Sequence, residues 1–372
     1  MKVVYFTESL LPQVDGVSRT LARLFDFLER RGVGFRVYSP FVPDGSVRWS
    51  GRVRPVKYAR FPLYRDYRVS WPGLRRIAGE VEAFRPDLIH LVSPTPLGFR
   101  ALGLAGREGI PAVASFHTHF VSYFRYYRVS RLEGLGWALL RRFHNRCAAT
   151  FAPSGTIARE LEEQGIERVR LWSRGIDPHG FSPDRSDETL RTRLAPGGEP
   201  ILLYAGRLVR EKDLSDLVEM ERLLRRRGVR HRLVLVGDGP MRSELESELP
   251  DAHFAGHREG GELARWYASA DVFVFPSTTE TFGNVVLEAM ASGLPAVVTD
   301  RGGVTDLIEP GTNGLVARAN HPEELTGRVA ALLENPARRE QLREGALRSA
   351  RERDWDTVNQ GLLNDYRDVA GE

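Results

Sequence analysis

The chain has 372 residues, 42% of them hydrophobic and 27% charged, an ordinary globular composition and more length than one core usually fills. No run of about 18 uncharged apolar residues occurs, and the start, MKVVYFTESL, enters a strand-like segment directly; a membrane span and an export signal are therefore not expected, and a cytoplasmic location is. One cysteine, Cys147, excludes an internal disulfide and a multi-cysteine metal site.

Charge is unevenly spread. Residues 1–180 hold 28 Lys and Arg against 16 Asp and Glu, and residues 181–372 hold 25 against 33, giving +12 and −8, which sum to the net +4. A basic first half suits an anionic ligand or surface, whereas the acidic second half argues against a nucleic-acid coat. Only Lys2, Lys57 and Lys212 among the 53 basic residues are lysines.

Short apolar, β-branched runs predict strands at 3–6, 35–38, 88–91, 112–115 and 150–152, then at 201–205, 233–236, 253–255, 272–275 and 296–298. Helical patterns lie between them, at 18–31, 139–148, 213–227, 261–270, 285–292 and 322–334. This alternation predicts an α/β fold of two doubly wound, Rossmann-like domains. The polar stretch 177–200 is the expected linker, with domains at 1–176 and 177–353. Such sheets bind ligands at the carboxyl ends of their strands, so the polar, glycine-rich segments following the strands should line a cleft between the domains.

Three segments carry candidate chemistry. The loop containing Gly16 follows the first strand and opens a helix whose unpaired amides would suit a phosphate. Arg207 and Lys212 follow the strand ILLYA, a forked and a compact cation five residues apart. After VFVFPS comes ETFGNVVLEAMASGLP, which places Glu280 on a loop and Glu288 eight positions later on a helix, with Phe282, Gly283, Asn284 and Val285 at that helix's start. Two carboxylates can accept hydroxyl hydrogen bonds while helix amides hold a diphosphate. His117 and His119 lack an apparent third metal ligand, and the Asp354-Trp355-Asp356 segment reads as helix capping and docking.

These segments, with PQVDGVSRTL, ASFHTHF, RLWSRGID, YAGRLVREKDL, VGDGP and YASADVFVFPS in the same order, resemble the family-4 retaining glycosyltransferases of the GT-B fold, whose Glu-x7-Glu signature matches Glu280 and Glu288. The resemblance is nearest to GDP-mannose-dependent lipid α-mannosyltransferases and sulfoquinovosyldiacylglycerol synthases. It implies that Gly16, Arg207 and Lys212 contact the donor diphosphate, Glu288 the ribose, and Glu280 with the Phe282–Val285 amides the sugar and phosphate. His117 would sit beside the sugar, and Asp238 and Gly239 would line the nucleotide side. The C-terminal helix, 354–372, would pack back on the first domain. No metal or cofactor is implied.

The implied activity is transfer of a hexose, mannose from GDP-mannose, to a lipid-linked or glycan hydroxyl, with UDP-glucose or UDP-sulfoquinovose as the alternative donor. A sugar-nucleotide 2-epimerase and a non-catalytic sugar-nucleotide-binding module are the readings from other classes. The aromatic and arginine-rich segments 71–76, 123–128 and 141–143 suggest that the basic half rests peripherally on anionic lipid, at the inner membrane face.

Overall fold

The computed structural model describes residues 1–61, 64–70, 74–119 and 133–372. It divides into two compact units. The first gathers the described residues up to Arg174 with Trp355–Glu372, and the second is Gly175–Asp354.

In the first unit the strands are β1 (Lys2–Phe6), β2 (Gly34–Ser39), β3 (Val53–Pro55), β4 (Tyr58–Phe61), β5 (Tyr64–Ser70), β6 (Leu88–Leu91), β7 (Ala112–Ser115), β8 (Ala149–Ala152) and β9 (Val169–Leu171). Seven of them form a parallel sheet ordered β3-β2-β1-β6-β7-β8-β9, and β4 and β5 form an antiparallel hairpin. The central strands are buried on both faces, which is why they read as continuous apolar runs. Helix Gly16–Arg30 packs Leu21, Leu24, Phe25 and Leu28 inward at helical spacing. The C-terminal helix Trp355–Ala370 belongs to this unit: Leu362, Leu363 and Tyr366 lie in its core, Asp356 pairs with Arg30, and Arg170 bonds Asp365 at 2.8 Å.

The second unit holds β10 (Ile201–Ala205), β11 (Arg232–Val236), β12 (His253–Gly256), β13 (Val272–Phe275), β14 (Ala296–Thr299) and β15 (Gly314–Ala317). Its parallel sheet runs β12-β11-β10-β13-β14-β15, so strand order reverses between β10 and β13. No helix among the described residues is long and apolar enough to cross a membrane.

The ten expected strands are present, but β3, β4, β5, β9 and β15 were not anticipated. Strand β9 shows why: it has three residues, none fully buried, and Leu171 is 56% exposed. The helix expected over 139–148 spans Glu133–His144, because Cys147 N turns back to His144 O and Ala148 N already bonds Ala112 O on the sheet. Residues 177–200 are not a linker. Helix Glu188–Leu194 sinks Leu190 and Leu194 into the second core, Asp187 caps it through Leu190 N at 3.1 Å, and Arg191 reaches Ser269 O at 2.7 Å. Two apolar side chains suffice to dock a polar segment, a pattern too sparse to register in a hydrophobic period.

A buried ion pair anchors helix Leu214–Arg226 to the segment preceding β11. His231 Nδ1 stands 2.9 Å from Val229 O and Nε2 2.6 Å from Glu221 Oε2, so both nitrogens face acceptors and the ring is protonated. Burial opposes that charge, but Glu221 outweighs it and raises the His231 pKa; burial likewise pushes Glu221 upward, and His231 with Arg225 pulls it below its ordinary value. The His231 contribution is complete below about 6.5 and is lost as pH rises through its raised value. The Glu221 contribution is present above about 4.5 and is lost as pH falls through its lowered value. Glu221→Gln should therefore cost most between those limits, about 3 kcal/mol. Thermal unfolding across pH checks this: the loss should shrink above the His231 pKa, and an equal loss at all pH would mean that His231 is uncharged.

Candidate active site

The reversal between β10 and β13 brings two loops together at the carboxyl edge of the second sheet, where open α/β sheets take ligands. Thr278 donates from both N and Oγ1 to Asp213 Oδ2, at 2.9 and 2.8 Å, and Thr279 Oγ1 donates to Glu211 O at 2.8 Å. Beside these bonds Lys212 Nζ forms an ion pair with Glu280, their side chains 11% and 20% exposed. A third loop seals the arrangement from behind: Gly303 N donates to Glu280 O at 2.7 Å, and a Cβ on Gly303 would stand 2.1 Å from Thr281 O. Arg207, expected to act beside Lys212, is 63% exposed, with its Nη2 3.5 Å from Glu211 Oε1.

Helix Asn284–Ala291 begins at Gly283, whose φ of +94° and close approach to Val304 exclude a side chain. No side chain caps it, so its first turn presents amides and the positive end of the helix dipole beside Glu280. Phe282 is buried beneath, and Glu288, on the second turn, is buried and accepts from Tyr267 Oη at 3.1 Å. After β11, Leu208 N donates to Asp238 O at 2.9 Å, and Gly237 must be glycine because a Cβ would meet Gly206 O at 1.9 Å. The Asp238 side chain is 56% exposed, with Gly239 N donating to it at 2.8 Å.

Gly16 and His117 lie in the first unit. Gly16 opens helix Gly16–Arg30, but the amides expected there to be free are not: Asp15 Oδ1 accepts from Val17 N at 2.9 Å and Ser18 N at 2.8 Å, and Ser18 Oγ accepts from Asp15 N. A carboxylate from the chain itself already takes the anion's place at this helix. His117 has both ring nitrogens engaged, Nε2 with Ser115 Oγ at 2.8 Å and Nδ1 with Arg174 Nη2 at 2.9 Å. Burial, then the Arg174 charge, hold its pKa well below the ordinary value, so the ring is neutral. His119 is taken by Glu160 at 2.7 Å, and among the described residues no three His, Cys, Asp or Glu side chains group to hold a metal ion.

Asp213 and Arg174 were not singled out in the sequence. Asp213 adopts left-handed φ +52° and spends its carboxylate on Thr278 rather than on capping its own helix. Asp213→Ala should raise amide exchange over residues 276–283 by about tenfold or more, the worth of two hydrogen bonds to a charged acceptor. Hydrogen-exchange mass spectrometry checks this, and unchanged protection would show that the loop holds itself.

Residues 14–179 match the family described as Glycosyltransferase Family 4, and residues 186–349 that described as Glycosyl transferases group 1. A GDP-mannose-dependent α-mannosyltransferase of Mycobacterium tuberculosis is 38% identical across 100% of this chain and 97% of the relative. A sulfoquinovosyl transferase of Arabidopsis thaliana is 34% identical across 83% of this chain and 62% of the relative. Among solved structures, sucrose-phosphate synthase from Thermosynechococcus elongatus superposes with a TM-score of 0.80 at 19% identity, covering 99% of this chain and 98% of its own. With two doubly wound parallel sheets and full-length kinship of this degree, the chain belongs to the family-4 glycosyltransferases and is a GT-B enzyme.

Proposed function

We propose that the enzyme moves mannose from GDP-mannose to a hydroxyl of a lipid-linked or glycan acceptor, with retention at the anomeric carbon. The geometric observation that carries the chemistry is the Lys212–Glu280 pair beside an uncapped helix start. As the anomeric C–O bond breaks, charge builds on the diphosphate; an ammonium and helix amides fixed nearby stabilise it at little reorganisation cost. When Lys212 turns to phosphate, Glu280 is free to accept hexose hydroxyl hydrogen bonds, while Glu288, steadied by Tyr267, takes the ribose. The new C–O bond forms on the face the diphosphate leaves, and the acceptor's proton passes to the departing phosphate oxygen, so no protein nucleophile is assigned. Arg207 adds a diphosphate contact, and Asp238 and Gly239 line the nucleotide side. No metal or cofactor enters the proposal.

Full-length kinship with a relative named for GDP-mannose supports that donor. The Arabidopsis relative keeps UDP-sulfoquinovose, and with it UDP-glucose, as the second reading. Thermal stabilisation by GDP, UDP and ADP at equal concentration separates them; GDP at about 100 times its Kd should add about 2.7 kcal/mol. A preference for UDP would replace the donor.

The acceptor side is supported by helix Glu133–His144. It exposes Leu135 at 69% and Leu139 at 49%, and exposed Arg142 follows them at helical spacing, a face suited to an anionic membrane surface on the cytoplasmic side. Residues 71–73 and 123–128, expected to share this role, lie outside the described residues. Sedimentation with vesicles of rising anionic content should show rising binding that drops in Leu135→Ser/Leu139→Ser, whereas equal binding to neutral vesicles would remove the electrostatic part.

A further inference from the structure

Arg174 closes the first unit with 4% of its surface exposed. Its Nη1 donates to Trp172 O at 2.6 Å and Ser173 O at 3.0 Å, its Nη2 donates to His117 Nδ1 at 2.9 Å, and the guanidinium stands 5.1 Å from the Trp172 ring centre. No carboxylate among the described residues pairs with it, whereas buried Lys212 has Glu280. Burial draws its pKa down to about 9, which leaves it charged at neutral pH. A cation out of water with only neutral partners is costly, and such uncompensated charge concentrates where a ligand completes it.

Its position fits a ligand site. Trp172 N bonds Ala152 O at the end of β8, and His117 follows the end of β7 by two residues, so Arg174 stands at the carboxyl edge of the first sheet. It is also held rigidly. Arg174 can only donate, so His117 Nδ1 accepts and Nε2 carries the proton toward Ser115 Oγ; Ser115 in turn meets His90 Nε2 at 3.0 Å, and His90 Nδ1 meets Tyr366 Oη. One proton assignment satisfies the whole run, from the C-terminal helix to the guanidinium.

We propose that Arg174 is an anion-recognition residue, using its remaining N–H donors to take an oxyanion of the phosphate or sulfonate class from a substrate. The ligand's identity rests on the transferase reading: the oxyanion belongs either to the donor diphosphate or to a phosphate on the acceptor head group.

The test uses the full chain as wild type, Arg174→Met and Arg174→Lys, titrated calorimetrically with inorganic pyrophosphate and with glycerol phosphate. Arg174→Met should weaken one probe about tenfold or more, the loss expected of a charge-assisted contact. A loss confined to pyrophosphate names the donor as the source, and a loss confined to glycerol phosphate names the acceptor. Unchanged affinity for both, or no binding of either by wild type, overturns the proposal. If Arg174→Met does not fold, Arg174→Lys decides: it keeps the charge without the fork and must still bind several-fold more weakly, and affinity equal to wild type overturns the proposal. Wild type that binds no nucleotide but binds a probe in an Arg174-dependent way keeps this site and removes the donor assignment.

Discussion

Direct pairing of β10 with β13, Leu202 against Val272 and Leu203 against Phe273, is the constraint on which the second unit's chemistry depends. It places two loops that are nearly 70 positions apart in sequence within hydrogen-bonding reach. The bonds from Thr278 to Asp213 and from Thr279 to Glu211 fix the loops, and the Lys212–Glu280 pair forms between them. Each of these charges offsets the desolvation of the other. Under the proposed transfer, a diphosphate taken here would exchange one partner of Lys212 for another, so the net gain on binding would be smaller than the new contact, and the released carboxylate would become available in the same event.

The two units build the same strand-loop-helix plan and finish it differently. Helix Gly16–Arg30 carries its own anion, Asp15, on its first amides. Helix Asn284–Ala291 starts at a glycine whose backbone conformation admits no capping side chain. A capped helix start contributes to stability, typically by about 1 kcal/mol, whereas an uncapped one leaves donors for something else to satisfy. Buried cations show the converse division: the second unit neutralises Lys212 internally, and the first leaves Arg174 with carbonyls, an imidazole and an indole face.

Central strands were legible because burial on both faces forces uninterrupted apolar runs, as in Val3–Phe6 of β1 or Val272–Phe275 of β13. Edges such as β3 and β9, short and partly exposed, leave no comparable pattern. The Glu280 and Glu288 spacing and the lone lysine of the second half were also legible, since they are matters of residue type and position. Pairing was not: Lys212 with Glu280, Asp213 with Thr278 and Arg174 with His117 join residues 57 to 68 positions apart, and only strand order brings them together. Asp15 is a local bond that could have been read, since Asp-x-x-Ser ahead of an amphipathic run can form a reciprocal cap.

The lysine at position 212 also has a physical reason in a chain that writes arginine at 50 of its 53 basic positions. Its ammonium sits 6.0 Å from the Phe275 ring centre, with Glu280 as its anionic partner, in a place only 11% open to solvent. A guanidinium there would bring five N–H donors in a fixed plane to a site that supplies one carboxylate and an aromatic ring, leaving several buried and unsatisfied. At Arg174 two carbonyls and an imidazole nitrogen meet part of the fork, although no carboxylate among the described residues offsets its charge. The choice between the two cations thus follows the number and direction of acceptors that each strand edge provides.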